Sequence, residues 1–404
     1  MLLRKSKKVF IHLDCDSFFA SCEILKNPVL RGKHVCVGEE IIVACTYNCK
    51  ALGIKTGTPI WEAKKILRNN GFFLPGDHSY YEKISDEIFN YLEDYTLTLE
   101  PFSIDEAFCE ITGLPELYKM SLEGYLKNLQ QNILKEIGIP VSIGCADTRI
   151  KAKIFSKINK PFGIYIGFDK EKEIALFKKL DISKIPFIGK SYQNKLRGDA
   201  KSIYDFVGLG FWDLKNKIGK TATDLWLELV GVNAFIVKKS KEIKSMSRTR
   251  SFNHHISSDK NFLLLQLTQN FEWLFEKLIK QNLEIRKIAL LLRTKNFQTL
   301  IYELNLQEHT NNRNIIFSSL IKLFEYNYNE NFLYRSTGVI FNELRNYLPQ
   351  QKNIFDGPLR GKENNYNLYK TIENINERYG SHKISFGTCL LGKGSDLKLG
   401  LRKN

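Results

Sequence analysis

Apolar positions recur along this chain at two different periods, and the change-overs mark its elements. Residues 9–13 are apolar apart from His12, which predicts a strand buried on both faces and ending at Asp14. Phe18, Cys22 and Leu25 then fall at helical spacing, so a helix follows, with Asp16 or Ser17 as its N-cap and Pro28 just past its end. A carboxylate therefore stands at a strand-to-helix corner. Residues 41–44 predict a second strand, and Thr58 as N-cap with Pro59 at the first helical position starts a helix reaching about residue 68. Tyr81, Ile84, Ile88 and Leu92 predict a helix over 80–95. Two short strands broken at Pro101 occupy 98–111, the second carrying Asp105 and Glu106. A helix over 122–137 and a strand over 141–146 follow. The order β, α, β, β, α, β predicts a split βαβ, ferredoxin-like sheet with helices on one face.

Beyond Gly167 the texture changes. Residues 176–230 read as short helical segments separated by Gly189, Gly198, Gly208, Gly210 and Gly219, which is a small helical domain. The stretch 237–250 (VKKSKEIKSMSRTR) is polar and basic and reads as an exposed linker entering a strand. Strand-like runs at 285–293, 299–304 and 334–344 then flank helices near 262–281 and 314–326, a second α+β domain. The tail from Tyr347 is polar, with one helix over 368–379.

Charge narrows the class of partner. The 404 residues carry 60 Lys plus Arg against 44 Asp plus Glu, a formal charge of +16, and a surplus of that size points to a polyanion, either nucleic acid or an acidic membrane surface. No apolar run approaches the roughly 20 residues of a membrane span. Eight cysteines without a CxxC pair, and no secretory leader, predict reduced core thiols in a cytoplasmic protein.

Asp14, Asp105 and Glu106 are the chemically suggestive set, since the proposed sheet places them side by side. Three carboxylates at one sheet edge repel unless cations neutralise them, and their oxygens suit Mg²⁺ or Mn²⁺. Adjacent strand residues point to opposite faces, so Asp105 and Glu106 reach one site only where the strand is bulged or just beginning. The bland alternative is a set of solvated surface acids. Asp16 is assigned to helix capping.

Four ordered segments decide between these readings. IHLDCDSFFASCE (11–23), YNCKALGIKTGTP (47–59), FSIDEAF (102–108) and AKIFSKINKPFG (152–163) resemble the Y-family, lesion-bypass DNA polymerases of the DinB/UmuC class, over roughly residues 8–345. The resemblance implies an α+β, multidomain right-hand polymerase. Its palm would comprise 1–21 and 79–170 and its fingers 22–78. The thumb would be 171–231, the basic linker 232–246, the little finger 247–346 and the tail 347–404. It implies Asp14, Asp105, Glu106 and the Cys15 carbonyl as ligands of two Mg²⁺ ions, with Mn²⁺ as an alternative. Phe19 would be a steric gate against the ribose 2′-hydroxyl, and Tyr47, Lys50 and Lys160 the triphosphate grip. Lys50 departs from the usual arginine and lacks its bidentate fork. Arg149 and Lys153 fall in the family's basic stretch beside the active site, with ordinary surface cations as the alternative.

The same resemblance extends to DNA contact. KIPFIGKSYQNKLR (184–197) resembles the thumb's helix-hairpin-helix, where Gly189 and Lys190 would meet a DNA phosphate, although Phe187 replaces the first glycine of the turn. Arg248, Arg250, Arg293 and Arg335 would grip the DNA backbone without reading sequence. Gln351, Ile354 and Phe355 are similar to a sliding-clamp peptide, with Lys352 as its main departure; the alternative is that Ile354 and Phe355 pin the tail to the domain. The sequence thus predicts a monomeric, low-fidelity, template-directed DNA polymerase without proofreading, acting on primer-template DNA and dNTPs with a clamp as partner. A metal-dependent nuclease or nucleotidyl cyclase would use the same acids without needing a gate. A non-catalytic DNA-binding protein would explain the charge but not the acids.

Overall fold

The computed structural model describes residues 8–68, 70–237, 243–252, 255–347, 360–379 and 384. They fall into two compact units, Met1–Lys241 and Glu242–Asn404. The first unit opens with β1 (Phe10–Cys15), α1 (Phe18–Lys26), β2 (Val35–Val37), β3 (Ala44–Cys45), α2 (Tyr47–Ala51), α3 (Ile60–Ile66) and β4 (Phe72–Leu74). It continues with α4 (His78–Glu93), β5 (Thr98–Pro101), β6 (Glu106–Glu110), α5 (Leu114–Leu117), α6 (Leu122–Glu136), β7 (Val141–Ala146), α7 (Arg149–Phe155) and β8 (Ile164–Ile166). Four helices close it: α8 (Lys170–Lys179), α9 (Lys190–Lys195), α10 (Ile203–Lys217) and α11 (Lys220–Val230).

Its main sheet has the order β5-β6-β1-β7-β8, with β1 antiparallel to both neighbours. The two-residue period of β1 divides its side chains between two interiors. Ile11, Leu13 and Cys15 join the core under α4 and α6, with Ala107 and Cys109 from β6 and Ile143 and Cys145 from β7. Phe10, His12 and Asp14 face the other way, and that side is covered by α7. The expectation of helices on one face is therefore corrected: the sheet is roofed on both, as the apolar run of β1 requires. Gly144 of β7 makes the second roof possible, because a Cβ there would stand 2.1 Å from the Ala152 carbonyl oxygen and 2.2 Å from the Ser156 nitrogen.

A three-stranded sheet of order β3-β2-β4 forms its own small core from Cys36, Ile42, Cys45, Cys49, Ile54, Ala63 and Leu67. Here the short elements depart from expectation. Ile41 makes only an isolated bridge to Pro59, and the strand is confined to Ala44–Cys45. Thr58 closes a turn by accepting from the Lys55 N–H at 3.1 Å, and α3 begins one residue past Pro59. The seven cysteines described are free and buried.

The second unit contains β9 (Ser245–Ser251), α12 (Lys260–Lys280), β10 (Leu283–Thr294), β11 (Thr299–Thr310), α13 (Arg313–Asn327), β12 (Tyr334–Asn342), β13 (Arg345–Asn346) and α14 (Arg360–Tyr379). Its sheet runs β11-β10-β12-β9, and Ile288, Leu290, Leu292, Val339 and Phe341 pack beneath α12 and α13. Tyr369 of α14 meets Phe275 of α12 edge to face at 5.1 Å, so the predicted tail helix belongs to this core. Among the described residues, no helix is long and apolar enough to cross a membrane.

Candidate active site

The carboxylates meet because of strand register. Asp14 and Glu106 are directly opposed in the β1–β6 ladder and so share a face. Glu106 is the first residue of β6, and Asp105 lies in the turn before it, held by the Cys15 N–H donating to the Asp105 carbonyl at 2.9 Å. The strand begins where the sequence required it to, and both acids reach the Asp14 end of the sheet. The Asp105 carboxylate accepts from Ser103 Oγ at 2.6 Å.

Two lysines neutralise this edge. Lys153 of α7 donates to Glu106 at 2.6 Å, and Lys160 pairs with Asp14 and, at 3.3 Å, with Asp16. Burial pushes the Asp14 carboxyl up to about 6, opposed by Lys160 and reinforced by Glu106 alongside. Burial acts on Glu106 in the same direction, but the Lys153 ammonium outweighs it and leaves that carboxyl below its usual range. His12, fully buried, is held well below its ordinary value first by burial and then by Lys153. As a neutral imidazole it accepts from Lys153 at 3.2 Å and meets Ser156 Oγ at 2.8 Å.

Arg149 and Lys153 are not surface cations. All seven residues of α7 are buried, and its three cations each meet acids: Arg149 with Glu100 at 3.1 Å, Lys151 with Asp147 and Glu173 at 3.2 and 3.1 Å, and Lys153 with Glu106. A buried charge survives only when so compensated.

Asp16 is the second correction. The N-cap of α1 is Ser17, whose φ is +48° and whose side chain makes no capping bond. Asp16, 2% exposed, instead accepts from Tyr47 Oη at 2.9 Å, Ser142 Oγ at 2.9 Å and the Phe162 N–H at 2.7 Å, besides Lys160. Tyr47 and Lys50, one turn apart on α2, thereby close on the sheet edge; Lys50 donates to Ser17 Oγ at 2.9 Å and stands 4.1 Å over the Tyr47 ring. Phe19 lies on α1, stacked on Tyr81 at 4.5 Å and edge-on to His78 at 5.5 Å.

Among the described residues, no three His, Cys, Asp or Glu side chains stand in a ready metal cage. The donor set is nonetheless that of a hard divalent cation. It consists of carboxylate oxygens from adjacent chain segments, and ammonium groups lie where positive charge is needed. The residues fit such an ion.

The expected DNA contacts are more dispersed. Gly189 precedes α9 and Lys190 opens it, both exposed. Phe187 occupies the turn at φ +68°, a conformation that favours glycine. In the second unit, Arg248 and Arg250 register opposite Val339 and Thr337 of β12, on the helix-bearing side, and Arg248 stacks 4.0 Å over Trp273 of α12. Arg293 and Arg335 instead share the Phe297 ring, at 5.2 and 3.8 Å, where the register shifts at the end of β10. The four arginines thus form two pairs rather than one patch. Gln351, Ile354 and Phe355 lie outside the described residues.

A split sheet presenting opposed carboxylates, followed by a helical segment and a separate α+β unit, is an arrangement shared with solved Y-family DNA polymerases. A solved Y-family DNA polymerase chimera of Dbh and Dpo4 matches 84% of this chain and 99% of its own, with a TM-score of 0.69 and 22% identity. DinB from Sulfolobus solfataricus matches with a TM-score of 0.55 over 83% of this chain and 98% of its own, again at 22% identity. The sequence profile of the impB/mucB/samB family matches residues 13–157, and that of the family's C-terminal domain matches 243–354. The chain belongs to this family, the DinB-like Y-family polymerases. DNA polymerase IV of Listeria innocua is 29% identical over 84% of this chain and 96% of its own length, and that of Ureaplasma parvum 28% identical over 86% and 98%.

Proposed function

We propose that this protein is a template-directed, translesion DNA polymerase that adds deoxynucleotides to a primer 3′ end on primer-template DNA. The carrying observation is the convergence of the Asp14–Glu106 pair and Asp105 with Tyr47, Lys50 and Lys160 at one sheet edge. Family membership and relatives named DNA polymerase IV support the same reading. Asp14, Asp105, Glu106 and the Cys15 carbonyl would hold divalent ions, Mg²⁺ in the cell with Mn²⁺ as substitute. When bound, such ions lower the barrier to attack by the primer hydroxyl and offset charge on the departing pyrophosphate.

The chain's own residues supply binding and orientation. Tyr47, Lys50 and Lys160 receive the triphosphate, whose charge rises at the transition state, and Lys160 exchanges Asp14 for phosphate when nucleotide enters. Phe19, backed by Tyr81, lies under the sugar and leaves no room for a 2′-hydroxyl. The small core around Cys36 and Leu67 gives short fingers, with little protein to close over the nascent pair; low fidelity and acceptance of damaged templates follow. We assign palm to 1–21 and 79–170, fingers to 22–78, thumb to 171–231, linker to 232–246 and little finger to 247–346. Gly189, Lys190 and the two arginine pairs contact phosphates, the segment 351–355 docks on a sliding clamp, and the enzyme works as a cytoplasmic monomer.

Primer extension with Mg²⁺ and four dNTPs, on intact and abasic templates, tests this. Growth past the abasic site is expected. Arrest at the site would remove abasic bypass, shortening of the primer would favour a nuclease acting through the same acids, and no growth despite bound DNA would favour a scaffold.

A further inference from the structure

The Asp16 carboxylate sits where three chain segments distant in sequence converge, and its two oxygens divide them. Oδ1 accepts from the Tyr47 hydroxyl of α2 and faces the Lys160 ammonium; Oδ2 accepts from Ser142 of β7 and from the backbone N–H of Phe162. Tyr47 and Lys160 are two of the three groups assigned above to the triphosphate, and Phe162 lies in the same turn as Lys160. A carboxylate 2% exposed is costly to desolvate and is retained only with its partners in place. The capping role that would explain an aspartate before a helix is absent, since Ser17 is the N-cap. Ser142 pairs with Asp14 in the β1–β7 ladder, so the same carboxylate is referenced to the carboxylate edge itself.

We propose that Asp16 is the positioning residue of the nucleotide site, a resting clasp that fixes α2 and the 160–163 turn at one distance from Asp14. It does not touch substrate. Its carboxylate holds Tyr47 and Lys160 in place before nucleotide arrives, so ordering them is not charged against nucleotide binding. The idea rests on the polymerase reading above.

Asp16→Asn is the discriminating variant, because an amide keeps one acceptor oxygen but turns a donor toward either the Tyr47 side or the Ser142 and Phe162 side. With a dideoxy-terminated primer-template, where no chemistry occurs, dNTP affinity should fall about tenfold. In single-nucleotide insertion KM should rise by a similar factor while kcat changes less than about threefold, with primer-template affinity unchanged. In a Tyr47→Phe background the effect of Asp16→Asn on dNTP affinity should shrink at least threefold, since the two share one interaction. Unchanged dNTP affinity in a folded Asp16→Asn enzyme, or full additivity with Tyr47→Phe, would overturn the positioning role. Should Asp16→Asn fail to fold, Ser142→Ala, which removes one bond to Oδ2, must still raise KM selectively, and an unchanged KM there counts against the proposal. A wild type that binds DNA but never extends it would instead overturn the polymerase reading itself.

Discussion

The cations at the carboxylate edge and the arginines proposed for DNA contact are held differently, although the second unit also pairs its buried Arg313 with Glu272. On the palm-like sheet of the first unit, Arg149, Lys151, Lys153 and Lys160 are set against carboxylates. In the second, Arg248, Arg293 and Arg335 lie half-buried against the rings of Trp273 and Phe297, which support the guanidinium without neutralising it. Cations beside the carboxylate edge are paired inside the fold; these arginines, proposed above for DNA contact, are propped on aromatic faces.

That contrast can be broken from either side. The largest effect is expected at the paired edge: Asp105→Asn should cut primer extension by roughly 10³-fold while leaving DNA affinity intact, checked by extension and anisotropy on one preparation. Phe19→Ala follows, with discrimination against ribonucleotides falling by about 100-fold in matched dNTP and rNTP insertions. Unchanged sugar selectivity would place the gate elsewhere. Removing the propped pair, Arg293→Ala with Arg335→Ala, should lower DNA affinity for all templates alike and flatten its salt dependence by about two phosphate contacts, with kcat at saturating DNA preserved. The smallest effect concerns stability. Phe187→Gly should relieve roughly 1 kcal/mol of left-handed strain but lose the edge contact with Phe102 at 6.0 Å and add chain entropy on unfolding, so the first unit's unfolding temperature should move by less than about 2 °C.

The same contrast explains what the sequence made legible. Long periodic segments, such as 80–95 and 122–137, emerge as helices close to their predicted bounds because one apolar face fixes each. Asp14, Asp105, Glu106, Tyr47 and Lys160 are carried by ordered motifs, and the fold brings them to one edge. Asp16 is misread because an acid before an apolar helix looks like a cap, whereas its partners Tyr47, Ser142 and Phe162 lie 31, 126 and 146 residues away. The cations of α7 give no local sign of burial, since the acids that compensate Arg149 and Lys153 come from other strands. β2, three residues long, is too short for a period to show.

The central claim is that the Asp14, Asp105 and Glu106 edge performs nucleotidyl transfer while DNA is held elsewhere. It is tested most directly by measuring, for wild type and Glu106→Ala on one labelled primer-template, both DNA affinity and single-nucleotide insertion with Mg²⁺. The account predicts equal affinities, with the same salt slope, and insertion by the wild type alone. Insertion at wild-type rate by Glu106→Ala would contradict it.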